Sequence, residues 1–189
     1  MNPTSDGTNN ESGLIPPPNV GPMPGASLGE SGAEERGDTE DVPTLVMVLN
    51  GLVEVTLDGN RMFSYAAGDV LDADYKALFA QHAQERAQFA RELQSAVLAF
   101  GGSPQNHGTL EGALLQAWMD VKSAVAVRED YAVLREVERA EQNARKRYAR
   151  ALTLDLGGEI KRLVERQYSA ISRSHDRIRA LRQKHALRS

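Results

Sequence analysis

The stretch LFAQHAQERAQFAREL, residues 78–93, decides the fold class of this protein. Its stripe of large side chains has spacings of three, seven and four residues, which is typical of one face of an α-helix: Phe79, His82, Phe89 and Leu93. Asp72 precedes the stretch and is predicted to cap this helix, because an aspartate side chain can accept hydrogen bonds from free backbone amides. Gly101 and Gly102 predict its end.

The same spacing recurs elsewhere, predicting long helices at about 44–70, 130–152 and 159–186. A shorter helix carrying Trp118 is predicted between the second and third long helices. In no segment do apolar and polar residues alternate with a period of two. No strand is therefore predicted, and the predicted class is all-α. Long helices with a short crossover helix in this connection are typical of a ferritin-like four-helix bundle.

Residues 1–43 differ from the rest of the chain. They contain eight acidic residues against one arginine, seven of the eight prolines and no aromatic residue, whereas residues 44–189 contain 18 acids and 21 bases. Such a segment buries too little apolar surface to offset the entropy of ordering it. We therefore expect a disordered acidic tail at 1–43 and one bundle domain at 44–189, with Asp41 capping a first helix that begins after Pro43.

Composition excludes several classes of function. The chain has no cysteine, so disulfides, thiolate metal sites and thiol catalysis are excluded. It shows no signal-peptide pattern, and no stretch approaches the roughly 18 apolar residues that cross a bilayer, so we expect a cytoplasmic protein without a membrane partner. Neither a phosphate-binding glycine loop nor a catalytic triad is present, which favours a non-enzymatic protein.

Several motifs carry a resemblance to a known family. They are LNGLVE (49–54), AQERAQFAREL (83–93), GALLQAWMDVK (112–122), ERAE (138–141), VERQY (164–168) and HDR (175–177). In this order they resemble an uncharacterised bacterial family of ferritin-like four-helix-bundle proteins, known as a domain of unknown function. The resemblance implies a cytosolic binding or stress-related protein without an assigned reaction. Its recurrent polar positions correspond to Glu54, Arg86, Glu92, Trp118, Glu138, Glu141 and Gln167, whereas His82 departs from the family pattern by replacing an apolar residue.

An iron or manganese site in the bundle core is the main alternative function. Di-iron bundles use carboxylates from two helices and a Glu-x-x-His pair from each of the other two. The candidate ligands in this sequence lie near the middles of their helices and are Glu54, His82, Glu85, Glu138, Glu141 and His175. The Glu-x-x-His pattern itself is absent, so the set is incomplete.

Each candidate ligand also has an ordinary structural interpretation. Glu138 and Glu141 fit a surface and a boundary carboxylate, paired with Arg145 or Arg86. His82 fits a hydrogen-bonded core histidine, and His175 fits one with Tyr148 or a carboxylate as its partner, because buried polar groups need partners whatever their function. Glu54 fits a solvated flank.

The last helix is strongly basic. From Lys161 to Arg188 it carries nine basic residues and only two acidic ones, Glu165 and Asp176. This pattern suits an anion or nucleic-acid binder, but the acidic whole chain favours a solvated face that pairs with acids on the first and third helices. We therefore predict a non-enzymatic binding protein for which a nucleic-acid partner is not expected, with an anion or nucleic-acid binder through helix 159–186 as a weaker alternative. Self-association into a homo-oligomer stays open.

Overall fold

The computed structural model of the protein describes residues 38–108, 115, 116, 118, 119 and 130–187, with side chains of the first helix from Val42 onward. Four long helices account for most of these residues: α1 (Asp38–Asp69), α2 (Ala73–Ala99), α3 (Asp130–Ala151) and α4 (Gly158–Ala186). No strand occurs in the described part of the chain. The predicted all-α, ferritin-like bundle is therefore confirmed.

The residues that were predicted to cap and to end α2 do so in the structure. The Asp72 carboxylate accepts hydrogen bonds from the backbone amides of Asp74 and Tyr75, at 2.8 and 3.1 Å. At the other end, Gly101 adopts a φ of 72°, a conformation that glycine enters without steric cost. The chain leaves the helix here, and Gly102 packs directly against Val46 of α1.

The predicted start of the first helix is wrong. Helix α1 begins at Asp38, and Pro43 lies inside it, so Asp41 is a helical residue and does not cap a helix that begins after the proline. Pro43 is the sixth residue of α1, beyond the first four amides that have no partner within a helix, so it removes one helical hydrogen bond, which a long packed helix tolerates. Of the tail expected to be disordered at 1–43, residues 38–43 are helical, and residues 1–37 lie outside the described part of the chain.

The order of the helices in space follows from contacts at their ends. Helix α1 packs on α2 and α3, while α4 packs on α3 and touches α2, so α2 and α3 lie diagonally opposite each other. The Asp130 carboxylate at the start of α3 accepts hydrogen bonds from the backbone amides of Leu71 and Asp72, which lie between α1 and α2. Because α2 ends at the opposite end of the bundle, the connection to α3 must return along its length, as in ferritin-like folds.

The described parts of this connection follow α1. The Asn50 side chain donates a hydrogen bond to the Ser103 carbonyl oxygen and accepts one from the Gln105 amide. Further along α1, Trp118 Nε1 donates to Asp69 Oδ2 at 2.7 Å, and its ring stacks on Tyr65. The four described residues 115, 116, 118 and 119 are helical, and the rest of the predicted short helix falls outside the described chain.

The core consists of two apolar clusters along the bundle. One lies toward the end that holds the α3–α4 turn and includes Leu49, Val53, Leu93 and Val164. The other lies toward the α1–α2 turn and includes Phe63 and Phe79. Between them lie buried polar side chains, and these form the candidate site.

Helix α1 is more apolar than the sequence analysis expects. Within Val42–Asp69 a window reaches a mean hydropathy of 1.3, which satisfies the length and composition of a membrane-crossing helix. This window contradicts the expectation that no segment of the chain approaches the limit for crossing a bilayer. A core helix of a bundle passes the same test, and Leu49, Leu52 and Phe63 of α1 are buried against the other helices.

Candidate functional site

Arg86 lies at the centre of the bundle. The apolar spacing of α2 directs position 86 inward, and the side chain is fully buried. Its Nη2 donates to Glu141 Oε2 at 2.6 Å and its Nε donates to Glu141 Oε1 at 3.3 Å, while Nη1 donates to Glu85 Oε2 at 2.7 Å. The guanidinium therefore joins a carboxylate of its own helix to one on the diagonally opposite helix.

The surroundings of Arg86 stabilise its positive charge. The Phe63 and Phe89 rings have their centroids 5.5 Å from its guanidinium carbon, within the range of cation–π attraction. Burial alone would lower the pKa of Arg86, but the Glu141 and Glu85 carboxylates hold it above its ordinary value. A buried charge is tolerated only when it is paired in this way.

Glu85 connects this centre to His82. His82 Nδ1 lies 3.4 Å from Glu85 Oε2, and its ring packs on Phe63. The hydrogen bond with His82, together with the charge of Arg86, holds the pKa of Glu85 below its ordinary value. The opposite ring nitrogen, Nε2 of His82, is buried without a hydrogen-bond partner in the described part of the chain.

A second polar network links all four helices. The Tyr148 hydroxyl of α3 donates to Gln167 Oε1 of α4 at 2.7 Å and lies 2.9 Å from the Thr56 hydroxyl of α1. Gln167 Nε2 then donates to Glu92 Oε2 of α2 at 2.8 Å. Burial raises the pKa of the Tyr148 phenol, so its hydroxyl stays a hydrogen-bond donor.

The remaining predicted ligands lie elsewhere. Glu138 accepts a hydrogen bond from Arg182 at the margin of α3 and α4. His175 Nδ1 lies 3.0 Å from Asp176 Oδ1 and 3.3 Å from Arg145 Nη1. Of the two predicted hydrogen-bond partners, Tyr148 and a carboxylate, the structure therefore has the carboxylate. Glu54 is half-exposed on α1.

The structure thus brings only part of the predicted set together. His82, Glu85 and Glu141 join one network, but Arg86 lies between the carboxylates. Within the described ranges, no three or more histidine, aspartate and glutamate side chains form a group that could hold a metal ion. Sequence reasoning missed the Thr56–Tyr148–Gln167 chain, because helical spacing marks Tyr148 as an interior residue without showing what its hydroxyl meets.

Two clefts open on the surface between helices. One, of about 900 Å³, lies between the end of α2 and the start of α4 and is lined by Phe100, Leu163 and Arg166 among others. The other, of about 390 Å³, lies between α1 and α3 beside Gly59 and Asn143. The lining of neither cleft includes Arg86 or Glu141.

Comparisons with known proteins agree with this architecture. No curated protein sequence matches the chain. Among solved structures, a point mutant of Dps1 from Mycobacterium smegmatis is similar, with a TM-score of 0.62 and 15% identity over 75% of this chain and 97% of that one. At this identity the likeness concerns the fold alone. Residues 44–154 match the family described as "Domain of unknown function (DUF2383)", and the chain therefore belongs to that family.

Proposed function

We propose that this protein is a non-enzymatic, cytoplasmic helical-bundle protein that binds its partners through its outer surface and self-associates. Its interior serves to hold the helices in register. The observation that carries this proposal is the buried contact between Arg86 and Glu141. A guanidinium fills the central position at which di-iron bundles gather carboxylates and histidines around metal, and it already neutralises the carboxylates there.

The second candidate is a metal-binding bundle, and one observation favours it. The buried Nε2 atom of His82 lacks a hydrogen-bond partner in the described chain, and Glu85 lies beside the same ring. An imidazole nitrogen with a nearby carboxylate suits iron or manganese. For this site to include Glu141, however, Arg86 would have to leave the bundle centre.

An iron(II) and manganese(II) titration of the full chain separates the two candidates. We expect no stoichiometric binding at micromolar metal by the wild type, and none by Glu141→Ala. The variant Arg86→Gln removes the cation that competes with a metal ion. It should therefore bind iron(II) or manganese(II) if Arg86 alone prevents the carboxylates from holding a metal. Stoichiometric binding by the wild type that disappears in His82→Ala and Glu141→Ala would replace the first proposal with the second.

Apolar side chains at one end of the bundle support self-association. Met47, Leu98 and Leu154 lie at the end that holds the α3–α4 turn, and 67%, 61% and 44% of their surfaces are exposed. Large apolar side chains exposed at one end of a protein favour an interface with another protein there. Light scattering after size exclusion should give a mass above that of one chain for the wild type and a lower mass for Leu98→Glu. A wild-type mass of 20.6 kDa would contradict the proposed self-association.

A further inference from the structure

Helix α4 carries an excess of positive charge. Between Gly158 and Ala186 it has eight basic residues and three acidic ones. An excess of this kind has two possible consequences: the bases pair with neighbouring acids, or they leave a positive surface exposed to solvent. The geometry of the helix decides between them.

The basic residues are not spread evenly around α4. Positions 162, 166, 169, 173, 177, 180 and 184 fall within about 80° of one another, since each residue turns an α-helix by roughly 100°. These positions hold Arg162, Arg166, Ser169, Arg173, Arg177, Ala180 and Lys184, all of them exposed. This set, here called the α4 basic stripe, contains five cations; of the acids of α4, exposed Glu159 falls in the same arc at its first turn and exposed Asp176 lies beside it. The stripe extends about 33 Å along the helix.

Most of the stripe has no counter-charge among the residues that the structure describes. Arg166 forms an ion pair with Glu92 of α2 at 2.9 Å. The other four cations, Arg162, Arg173, Arg177 and Lys184, form no ion pair with any described residue. Of the remaining basic residues of α4, Arg182 pairs with Glu138 outside the stripe. The expectation that this face is neutralised by acids on the first and third helices therefore applies to Arg182 and not to the stripe.

The form of the stripe suits a straight, regularly charged polyanion. A duplex nucleic acid presents phosphates along a stiff backbone, and cations that neutralise them release condensed counterions, which drives binding. Binding of a single strand ordinarily adds aromatic side chains on which bases stack. The stripe contains no aromatic residue, and its two uncharged members, Ser169 and Ala180, are small enough to let a backbone approach.

We infer that the α4 basic stripe binds the phosphodiester backbone of double-stranded nucleic acid without reading its sequence. The inference rests on the proposed function, because it names a partner for the outer surface. Its contacts are electrostatic, so affinity falls steeply with salt. Arg162, Arg173, Arg177 and Lys184 supply the phosphate contacts, and Glu92 partly screens Arg166.

The test uses fluorescence anisotropy with the full chain and a labelled 24-base-pair DNA duplex, from 25 to 200 mM salt. The stripe variant is Arg162→Gln/Arg173→Gln/Arg177→Gln/Lys184→Gln. The matched control removes the same charge from exposed positions outside the stripe, as Lys146→Gln/Arg147→Gln/Arg150→Gln/Lys161→Gln. We expect the stripe variant to lose at least about tenfold in affinity and about 3.6 units of the slope of log K against log salt, and the control to change by less than about threefold in affinity.

Two further arms identify the partner. An RNA duplex of the same sequence should bind within about tenfold of the DNA duplex, because both present a phosphodiester backbone. Poly-L-glutamate of similar length should bind more weakly; equal binding would assign the stripe to an acidic polypeptide and overturn the inference. Absence of salt-dependent binding by the wild type, or equal losses in stripe and control variants, would also overturn it. Masses in solution measured without nucleic acid show separately whether the proposed self-association holds.

Discussion

Arg86 of α2 and Glu141 of α3 meet across the diagonal of the bundle, with Arg86 Nη2 2.6 Å from Glu141 Oε2 and both side chains only 1% exposed. The arginine side chain reaches across the centre because its helix and that of Glu141 are not neighbours. The pair therefore connects two helices that share little packing surface. The ion pair can form only when α2 and α3 have this one register relative to each other.

Replacing Arg86 with methionine should be strongly destabilising. Methionine fills much of the same space but leaves the buried Glu141 carboxylate without its cation, a change that typically costs about 3–5 kcal/mol. Urea unfolding followed by circular dichroism measures this loss. The double variant Arg86→Met/Glu141→Leu should recover most of the stability, because an apolar pair of similar volume can replace a buried ion pair. A loss under about 1 kcal/mol for the single variant would show that the ion pair does not form.

Tyr148→Phe should destabilise the bundle by about 1–3 kcal/mol, because Gln167 Oε1 would remain buried without its donor. The matched control is Tyr168→Phe, since the Tyr168 hydroxyl makes no hydrogen bond with any residue that the structure describes. Equal effects in the two variants, measured by thermal or urea unfolding, would argue against the Thr56–Tyr148–Gln167 network.

Acid should weaken the fold through Glu85 and Glu92. Both carboxyl groups have pKa values below the ordinary 4.5, Glu85 through His82 and Arg86, and Glu92 through Gln167 and Arg166 in spite of its partial burial. A lowered folded-state pKa gives stability that is present above the unfolded-state pKa and lost as the pH falls through the folded one. The urea midpoint should thus fall from about pH 4.5 downward.

Glu85→Gln tests this dependence. The variant should be less stable than the wild type at pH 7 and should lose less stability on acidification, because the titrating group is gone. Exposed Glu165→Gln serves as the control. Parallel pH profiles for the wild type and Glu85→Gln would be inconsistent with the lowered pKa.

Gly102→Ala should destabilise the junction after α2. An added Cβ would lie 2.6 Å from Val46 Cγ1 and 3.0 Å from Val97 Cγ1, well inside the usual contact distance. We expect a loss of about 1–3 kcal/mol, as for other overpacked sites, and partial recovery in Gly102→Ala/Val46→Ala. If unfolding shows that alanine is accepted without loss, α2 does not pack on α1 as closely here as the structure has it.

Much of the fold could be predicted because it depends on local chemistry. The apolar spacing predicted α2, α3 and α4 to within a residue or two, and Asp72 and Gly101 marked the limits of α2 through backbone geometry alone. The start of α1 lies before the predicted one, because Pro43 is not a helix boundary in this protein. A proline in the second turn removes one hydrogen bond, which a long packed helix tolerates.

The candidate site was harder to predict, because its contacts depend on the relative register of different helices. Spacing along α2 and α3 places Arg86 and Glu141 near mid-helix, and it predicts either Arg145 or Arg86 as the partner of the α3 glutamates. No pattern within a helix shows that an arginine will reach diagonally across a bundle. Equally, Tyr148 and Gln167 lie 19 residues apart on two helices, and only their packing brings them together.

The most direct test of the proposed role of the Arg86–Glu141 pair is elemental analysis of the full chain, purified without a metal-affinity tag from cells supplied with iron and manganese. The result expected is less than about one metal ion per ten chains, since the guanidinium of Arg86 already neutralises the carboxylates at the bundle centre. About one or two iron or manganese ions per chain, lost in Glu141→Ala while the helical content is kept, would contradict the account and assign the bundle interior to metal binding.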